Sequence, residues 1–233
     1  MKSGPTPPPH GQAGRLIVFE GLDGSGKSTQ ARLLVKWLQA QGYRVFFTEW
    51  NSSDMVSEVI RRGKKKNLLT PTTFSLLHAV DFADRFERQI APPLRAGYIV
   101  VCDRYAYTAF VRDASRGCDP DWVRNLYSFA PVPDKVLYFR VPVTTSLHRK
   151  ILSRQKISYY EAGMDLGLSD DLVESYTRFQ GRLKREYDRL STVDGFRVVD
   201  ATRSVEAIQA ELRADLKPLL VKFPTVERLT HDR

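Results

Sequence analysis

The sequence has few cysteines and no long apolar segment. Cys102 and Cys118 are the only two cysteines among 233 residues, too few for a disulfide scaffold, and no Cys/His group has the spacing of a zinc site. No apolar run approaches the ~18 residues of a membrane helix, and residues 16–19 are typical of the longest runs. Since the N-terminus also lacks an apolar core, we expect no signal peptide and a reducing, cytoplasmic location.

Acidic residues are outnumbered by basic ones. The chain has 36 Lys and Arg against 27 Asp and Glu, a net charge of +9. Hydrophobic residues make up 42% and charged residues 27%, which is ordinary for a globular protein and excludes a wholly disordered or collagen-like chain. The positive charge indicates an anionic partner, and nucleic acid, a membrane surface and phosphorylated metabolites all satisfy it.

The order of apolar runs predicts the fold class. Residues 1–14 indicate a flexible Pro/Gly-rich tail, residues 15–222 a single domain and residues 223–233 a C-terminal tail. Within the domain, short and mostly continuous apolar runs alternate with amphipathic segments, as expected for parallel strands buried on both faces. We predict a three-layer α/β fold whose five-stranded parallel sheet is flanked by helices. Its strands are predicted near 16–19, 45–48, 98–102, 136–141 and 196–199.

Capping signals divide the segments between the strands into helices. Thr70 before Pro71 and Asp119 before Pro120 are typical helix starts, and Pro92 is expected to end the helix that begins at Pro71. The basic run at 61–66 is predicted as a solvated loop, with a nucleic-acid patch as the alternative. Helices are predicted over 27–40, 71–91, 143–155, 170–191 and 204–221, and one more is predicted to begin at residue 120.

Residues 21–28 match the phosphate-loop pattern G-x-x-x-x-G-K-[ST]. The match follows the first predicted strand and opens the first predicted helix, so backbone N–H groups and the helix N-terminus would meet phosphate oxygens. Lys27 is expected to bridge the β- and γ-phosphates, and Ser28 to hold Mg²⁺. The predicted ATP-binding residues of this loop are Gly21, Gly24, Ser25, Gly26, Lys27, Ser28 and Thr29.

A second polar pair follows the third predicted strand. Asp103 and Arg104 come at its carboxyl end, where open α/β sheets bind ligands. Asp103 could hold Mg²⁺ through water, and the planar guanidinium of Arg104 suits a phosphate. A structural ion pair is the alternative. Together with the loop, the pair points to phosphoryl transfer.

The loop and this pair together resemble the thymidylate kinase family. Residues 19–29 are similar to the family's loop, which carries an acid at the position of Asp23. The resemblance spans about residues 15–220 and implies a P-loop kinase fold, Mg-ATP as donor, a nucleoside monophosphate as acceptor with dTMP the best single candidate, and a homodimer. It continues in Leu76-Leu77, Leu94-Arg95-Ala96-Gly97, Asp103-Arg104-Tyr105, Pro133-Asp134 and Val199-Asp200.

The resemblance also implies a basic lid over ATP. Some family members carry an arginine within the loop at the position of Gly24, so here the charge must come from elsewhere. Arg149, Lys150, Arg154 and Lys156 lie within eight residues. We expect Arg154 to act on the transferring phosphate and Arg149 to bind phosphates or adenine, with a solvated basic helix face as the alternative. The predicted catalytic residues are Lys27, Arg104 and Arg154.

The acceptor side departs from the family pattern. His78 replaces a stacking phenylalanine, and Phe82 stands where an arginine belongs, for which Arg85 could compensate. Arg112 and Asp113 occupy the places of a tyrosine and a glutamine. The resemblance implies as acceptor-binding residues Asp23, Glu49, His78, Phe82, Arg85, Arg104, Tyr105, Arg112 and Asp113, and as metal ligands Ser28 and Asp103.

These departures leave the acceptor open. The best single candidate is dTMP, but another nucleotide, or a non-nucleotide phosphate on the same fold, is an alternative. A second alternative is a regulatory module that binds a nucleotide without catalysing a reaction. Residues 159–166 match no motif and either order the lid or contact the acceptor, with Glu161 the most suggestive. The basic residues assigned to phosphates favour phosphorylated metabolites over nucleic acid as partners.

Overall fold

Five parallel strands form one sheet in the computed structural model, which describes residues 13–154, 156–221 and 223–225. The strand order is β2-β3-β1-β4-β5, and each neighbouring pair is parallel. The predicted five-stranded parallel sheet is therefore confirmed. The strands are β1 (Arg15–Gly21), β2 (Val45–Glu49), β3 (Ile99–Asp103), β4 (Lys135–Arg140) and β5 (Arg197–Asp200).

Helices connect the strands and cover both faces of the sheet. They are α1 (Lys27–Ala40), α2 (Ser57–Lys65), α3 (Pro71–Arg85), α4 (Ala91–Arg95), α5 (Ala106–Ala114), α6 (Pro120–Leu126), α7 (Val143–Leu152), α8 (Leu172–Val193) and α9 (Val205–Leu220). A π-helical segment, Phe86–Ile90, joins α3 to α4. Within the described part of the chain, no helix is long and apolar enough to cross a bilayer.

Two apolar cores lie on opposite faces of the sheet. Because successive strand residues point to opposite faces, Leu16 and Val18 of β1 pack with α3, α5 and α8, whereas Ile17 and Phe19 pack with α1 and α9. The two cores and the sheet give the predicted three-layer arrangement. Continuous apolar strands arise because both faces are covered.

The domain boundaries differ slightly from the prediction. The backbone N–H of Gly14 donates a hydrogen bond of 2.9 Å to the Leu94 carbonyl, so the last residue of the predicted N-terminal tail is already attached. Phe223 is buried in the core beneath α1 and α9, although the tail was predicted to begin there. Residues 1–12 and 226–233 lie outside the described residues.

Two predicted helix caps form as the sequence indicates, and a third is present at Ser204. The side chains of Thr70, Asp119 and Ser204 accept hydrogen bonds from the third residue of α3, α6 and α9, respectively. Each bond satisfies a backbone N–H that the first turn of a helix leaves without a partner. The boundaries of these helix starts therefore follow from local chemistry.

Two local predictions are wrong. The chain stays helical past Pro92 and Pro93, because these residues occupy the first turn of α4, where a missing N–H costs little. The basic run at 61–66 is not a loop: most of it forms the end of α2, with its charges beside the partial negative charge of the helix C-terminus. The helix α5, which follows Arg104 and Tyr105, was not predicted.

The sheet topology brings the two predicted phosphate-binding segments together. Phe19 of β1 pairs with Asp103 of β3, so the loop after β1 and the residues after β3 leave the sheet side by side. The candidate site lies at this carboxyl edge, as expected for open α/β sheets.

The core beneath α1 allows a direct test of the packing. Leu34 is fully buried between α1 and the sheet. We expect Leu34→Ala to lower the free energy of unfolding by about 2–5 kcal/mol, because the lost contacts leave a cavity. Lys36→Ala, on the exposed side of the same helix, should change it by less than about 0.5 kcal/mol. Urea unfolding measures both, and equal effects would contradict this packing.

Candidate active site

The loop between β1 and α1 forms one wall of a cavity of about 320 Å³. Gly26, with φ 88°, is the N-cap residue of α1. Gly24 has φ 78°, and a Cβ on it would lie 2.7 Å from the Ser146 carbonyl oxygen. The Ser146 hydroxyl also donates to the Asp23 carbonyl at 2.5 Å. Helix α7 therefore packs directly on the loop and leaves no room for a side chain at position 24.

Three sets of side chains line the cavity. The P-loop wall consists of Asp23, Lys27 and Ser28. The arginine wall consists of Arg104, Arg112 and Arg116. The aromatic wall consists of Trp50, Phe74 and Tyr160. A site with this lining combines cations for phosphate groups with flat apolar rings for an aromatic ligand.

The Asp23 carboxylate joins the P-loop wall to the arginine wall. One of its oxygens binds the Arg104 guanidinium, and the other accepts a hydrogen bond of 2.5 Å from Arg112. The Lys27 ammonium lies 4.0 Å from Asp23 Oδ1. Although burial acts to raise it, these three cations hold the pKa of Asp23 well below its usual range. One anion thus faces several cations, which leaves positive charge for phosphate groups.

The Glu20 carboxylate attaches the start of α5 to β1. Its Oε1 accepts from the backbone N–H groups of Tyr105 at 2.8 Å and Thr108 at 3.1 Å, and its Oε2 accepts from the Thr108 and Tyr187 hydroxyls at 2.7 and 2.8 Å. Burial raises the pKa of Glu20, and Arg104 together with these donors opposes that rise. The contact fixes the helix that carries Arg112.

Arg85 is buried away from the cavity and supports the backbone of Arg104. Arg104 has φ 70°, a left-handed conformation that is strained for a residue with a side chain. Its N–H donates to the Phe19 carbonyl at 2.9 Å, and its carbonyl accepts from Arg85 Nη1 at 2.9 Å. Arg85 also donates to the Thr48 hydroxyl and carbonyl at 3.0 and 3.1 Å. With these donors engaged, Arg85 orients Arg104 instead of facing the acceptor as predicted.

Three other predicted acceptor residues belong to the core. Phe82 is fully buried, and its ring centroid lies 5.0 Å from that of Tyr105. Tyr105 is itself buried. Asp113 is buried and accepts a hydrogen bond of 2.7 Å from Ser75. These side chains point toward the packed interior between α3 and α5, so direct acceptor contact is not supported for them.

His78 and Glu49 lie at the margins of the cavity. His78 is buried behind the aromatic wall, with its ring centroid 4.3 Å from that of Phe74 and 5.5 Å from that of Trp50. Burial lowers its pKa well below the usual value, so the imidazole is neutral. Glu49 lines the cavity but is exposed and paired with Arg32 at 3.3 Å. Of the predicted acceptor residues, Asp23, Glu49, Arg104 and Arg112 line the cavity.

Asp103 and Ser28 fit a magnesium site. Asp103 is buried at the end of β3, and within the described chain its Oδ1 has no hydrogen-bond partner. Ser28 lines the same cavity. Mg²⁺ is usually held by one or two carboxylates together with substrate phosphates and water. Because the described residues contain no cluster of three metal-ligating side chains, such an ion would depend on the nucleotide for further ligands.

The basic lid residues differ in where they reach. Arg149 donates to the Ser25 carbonyl at 3.2 Å and to the Ala201 carbonyl at 2.9 Å, so it rests on the P-loop. Arg154 follows the end of α7 with φ 53°, and both it and Lys156 are exposed. The prediction that Arg154 lies at the transferring phosphate is therefore not supported in this conformation. Thr29 is likewise exposed, in the first turn of α1.

Lys150 is the lid residue that enters the cavity. It is buried, its ammonium forms an ion pair with Glu161, and its Cγ lies 3.2 Å from where a Cβ on Gly24 would stand. Glu161, noted in the sequence as suggestive, thus holds a lysine over the P-loop.

Sequence reasoning missed Trp50 and Phe74 of the aromatic wall and two of the cations, whereas Tyr160 lies in the segment 159–166 that was expected to order the lid or contact the acceptor. Trp50 directly follows β2, and the rule that ligands bind at the carboxyl ends of strands could have found it. Phe74 lies one helical turn before His78 on the same face of α3. Arg116 and Lys64 also line the cavity. No local pattern singles out Arg116, and none distinguishes Lys64 from the other residues of the basic run at 61–66.

Comparison with known proteins places the chain among nucleotide kinases. The model of the family described as "Thymidylate kinase" matches residues 19–212. A "Probable thymidylate kinase 2" of Saccharolobus solfataricus is 45% identical, over 86% of this chain and 94% of that protein. A "Probable thymidylate kinase" of Pyrococcus horikoshii is 33% identical, over 88% of this chain and 96% of that protein. A "Thymidylate kinase" of Roseiflexus castenholzii is 30% identical, over 93% of this chain and 98% of that protein.

The burial of Asp113 predicts a dependence of stability on pH. Burial raises the pKa of Asp113 to about 6 from 3.8, so between these values the folded state binds more protons than the unfolded state. The free energy of unfolding should therefore fall as the pH rises through this window. Asp113→Asn should remove this part of the slope in urea unfolding from pH 4 to 7.

The exposed Asp54 offers a matched control for this measurement. Asp54→Asn should keep the slope of the unmodified protein. An unchanged slope in Asp113→Asn, combined with a raised KM for the acceptor, would instead support the direct acceptor contact predicted from the sequence.

Proposed function

The chain belongs to the thymidylate kinase family, and we propose that it transfers the γ-phosphate of ATP to the phosphate of dTMP, giving dTDP and ADP. One observation carries the proposal: Lys27 of the P-loop and Arg104 after β3 line the same cavity and are linked by Asp23. A P-loop alone is compatible with many reactions. A second cluster of guanidinium groups beside it provides a place for a second phosphate.

The arginine wall suits the acceptor phosphate. Arg104 and Arg112 both donate hydrogen bonds to Asp23. A phosphate in the cavity could accept hydrogen bonds from the same two guanidinium groups, and it carries more negative charge than the carboxylate. The aromatic wall next to them offers the rings of Phe74 and Tyr160, whose centroids lie 5.0 Å apart. A flat pyrimidine fits such a surface by stacking and by burial of apolar area.

The P-loop wall suits the donor. Backbone N–H groups at the start of α1 and the Lys27 ammonium would bind the β- and γ-phosphates, while Arg149 holds the loop through the Ser25 carbonyl. Ser28 and Asp103 would hold Mg²⁺, which when bound neutralises charge on the phosphates. The γ-phosphate of ATP must also be aligned with the phosphate of dTMP. The P-loop wall and the arginine wall would each hold one of these phosphates, so transfer needs no covalent intermediate on the protein.

Lys150 is the cation that we assign to the transferring phosphate. The Ser146 carbonyl prevents a side chain at Gly24, where some relatives carry an arginine, and the Lys150 stem occupies the adjacent space. Glu161 fixes its ammonium. A positive charge placed in advance where negative charge accumulates lowers the barrier to transfer.

Intact donor-side residues favour an enzyme over a regulatory module. Lys27, Ser28, Asp103 and Arg104 are all present, and all four are buried or partly buried in one cavity. The homodimer implied by the resemblance stays a prediction, and so does the cytoplasmic location.

Activity with a panel of acceptors tests the proposed function. Purified protein with Mg-ATP should release ADP fastest with dTMP among dTMP, dUMP, dCMP, dAMP and dGMP. Lys27→Met should lower kcat by about 10³-fold or more, because the phosphates lose their central cation. Lys36→Met, on the exposed face of α1, is the charge-matched control and should have no effect. ADP release with none of the five acceptors would overturn the proposal.

The assignment of Lys150 gives a separate prediction. Lys150→Met should lower kcat by about 10²-fold while changing the KM for dTMP much less, because the lost charge acts mainly on the transition state. Arg154→Met removes an exposed charge from the same lid and should leave kcat within about twofold. Since Lys150→Met leaves Glu161 buried without its partner, the double variant with Glu161→Gln checks that misfolding is not the cause. A larger effect of Arg154→Met would reverse the assignment.

A further inference from the structure

Lys64 is the member of the basic run at 61–66 that reaches the cavity. Arg61, Arg62 and Lys65 are exposed on α2, and so is Lys66, which follows it. The Lys64 side chain lines the cavity, and its Nζ lies 5.1 Å from the ring centroid of Phe74. One cation of a run that otherwise faces solvent therefore stands at the aromatic wall.

A close contact at Gly63 fixes the position of Lys64. Gly63 is buried, and a Cβ on it would lie 2.5 Å from Leu69 Cδ2. The backbone N–H of Leu69 in turn donates a hydrogen bond of 3.0 Å to the Tyr160 hydroxyl. The end of α2 is therefore pressed against the segment that holds Tyr160, and the next residue, Lys64, is directed to the same wall.

The Lys64 ammonium has no partner of opposite charge among the described residues. Its cationic neighbours are already engaged: Arg112 with Asp23 at 2.5 Å and Arg116 with Asp165 at 2.9 Å. Burial and these two arginines lower the pKa of Lys64 to about 8. A half-buried donor without an acceptor is costly, and a ligand can supply the missing acceptor.

The nearest carboxylate of α3 is also occupied. The Asp81 side chain accepts hydrogen bonds from the backbone N–H groups of Asn51 at 3.2 Å and Ser53 at 3.1 Å. It holds the segment after β2 in place. Its attraction for Lys64 is weaker than the combined repulsion by the two arginines. The ammonium is therefore free to bind a group in the cavity.

We propose that Lys64 is a specificity-determining residue that donates a hydrogen bond to the 4-carbonyl oxygen of the acceptor base. This rests on the proposed function, in which the acceptor phosphate binds Arg104 and Arg112 and the base lies against Phe74 and Tyr160. An ammonium can donate but cannot accept. It therefore favours thymine and uracil, which carry a carbonyl oxygen on the ring carbon where cytosine carries an amino group. The amino group of cytosine is itself a hydrogen-bond donor, so it would face the Lys64 ammonium without a hydrogen bond between them.

Acceptor discrimination in Lys64→Met tests the proposal. The methionine keeps the apolar stem but removes the donor. We expect kcat/KM to fall by about tenfold or more for dTMP and dUMP alike, since both carry the carbonyl group. For dCMP as a substrate, kcat/KM should stay the same or rise. For dCMP as a competitive inhibitor against dTMP, the inhibition constant should stay the same or fall. Lys65→Met, one residue on and exposed, removes the same charge and should change none of these constants.

A second variant separates lost recognition from lost folding. Lys64→Gln places an amide at the cavity, and an amide both donates and accepts. It should keep more activity with dTMP than Lys64→Met, yet lower the preference of dTMP over dCMP by about tenfold. Thermal unfolding of both variants shows whether α2 is intact.

The possible results distinguish this inference from the proposed function. An unmodified protein that phosphorylates dTMP, together with Lys64 variants whose dTMP-to-dCMP preference is unchanged, overturns the role of Lys64 alone. An equal loss for dTMP and dCMP in both variants also overturns it, because it shows a cation that binds a group common to both nucleotides, the phosphate or the 2-carbonyl oxygen. An unmodified protein that phosphorylates no nucleoside monophosphate overturns both proposals.

Discussion

The acceptor half of the site depends on the buried carboxylate of Glu20. This residue lies one position before the end of β1, the strand that leads into the P-loop, and its Oε1 accepts from backbone N–H groups at the start of α5, the helix that carries Arg112. A carboxylate buried between a sheet and its helices is costly unless its lone pairs are satisfied, and four donors satisfy them here. Arg104, the residue before Tyr105, has a left-handed backbone that Phe19 and Arg85 support through hydrogen bonds to its N–H and carbonyl. Donor and acceptor walls are therefore parts of one rigid unit.

The excess of positive charge has a structural explanation in part. Lys27, Lys64, Arg104 and Lys150 converge on one cavity with Asp23 at its centre. In the absence of substrates, Asp23 and Glu161 limit the repulsion among these cations. The two substrates bring phosphate charges to the same place, so the cost of gathering cations is offset when they bind. The exposed basic residues at the end of α2 and just after it, Arg61, Arg62, Lys65 and Lys66, have no role in this arrangement.

Features of the fold and the site could be predicted from the sequence where residues close together in the chain determine them. The five strands, the P-loop and caps such as Thr70 could be predicted because a few neighbouring residues determine them. Phe82 and Arg85 show the limit: spacing along α3 places them near the face of His78, but spacing does not tell whether that face meets the cavity or the core. Arg154 and Lys150 differ by four residues, and only the end of α7 decides which one reaches the loop. Trp50, Phe74 and Tyr160 come from three separate segments, so their wall depends on tertiary packing.

The contact between Gly63 and Leu69 has a consequence for how such a protein can evolve. A side chain at position 63 would push against the Leu69 side chain, so either Leu69 or the end of α2, which carries Lys64, would have to shift. Nucleotide preference can thus drift through a substitution that touches neither the base nor a phosphate. Gly63 itself does not line the cavity, so a search restricted to cavity-lining positions would overlook it.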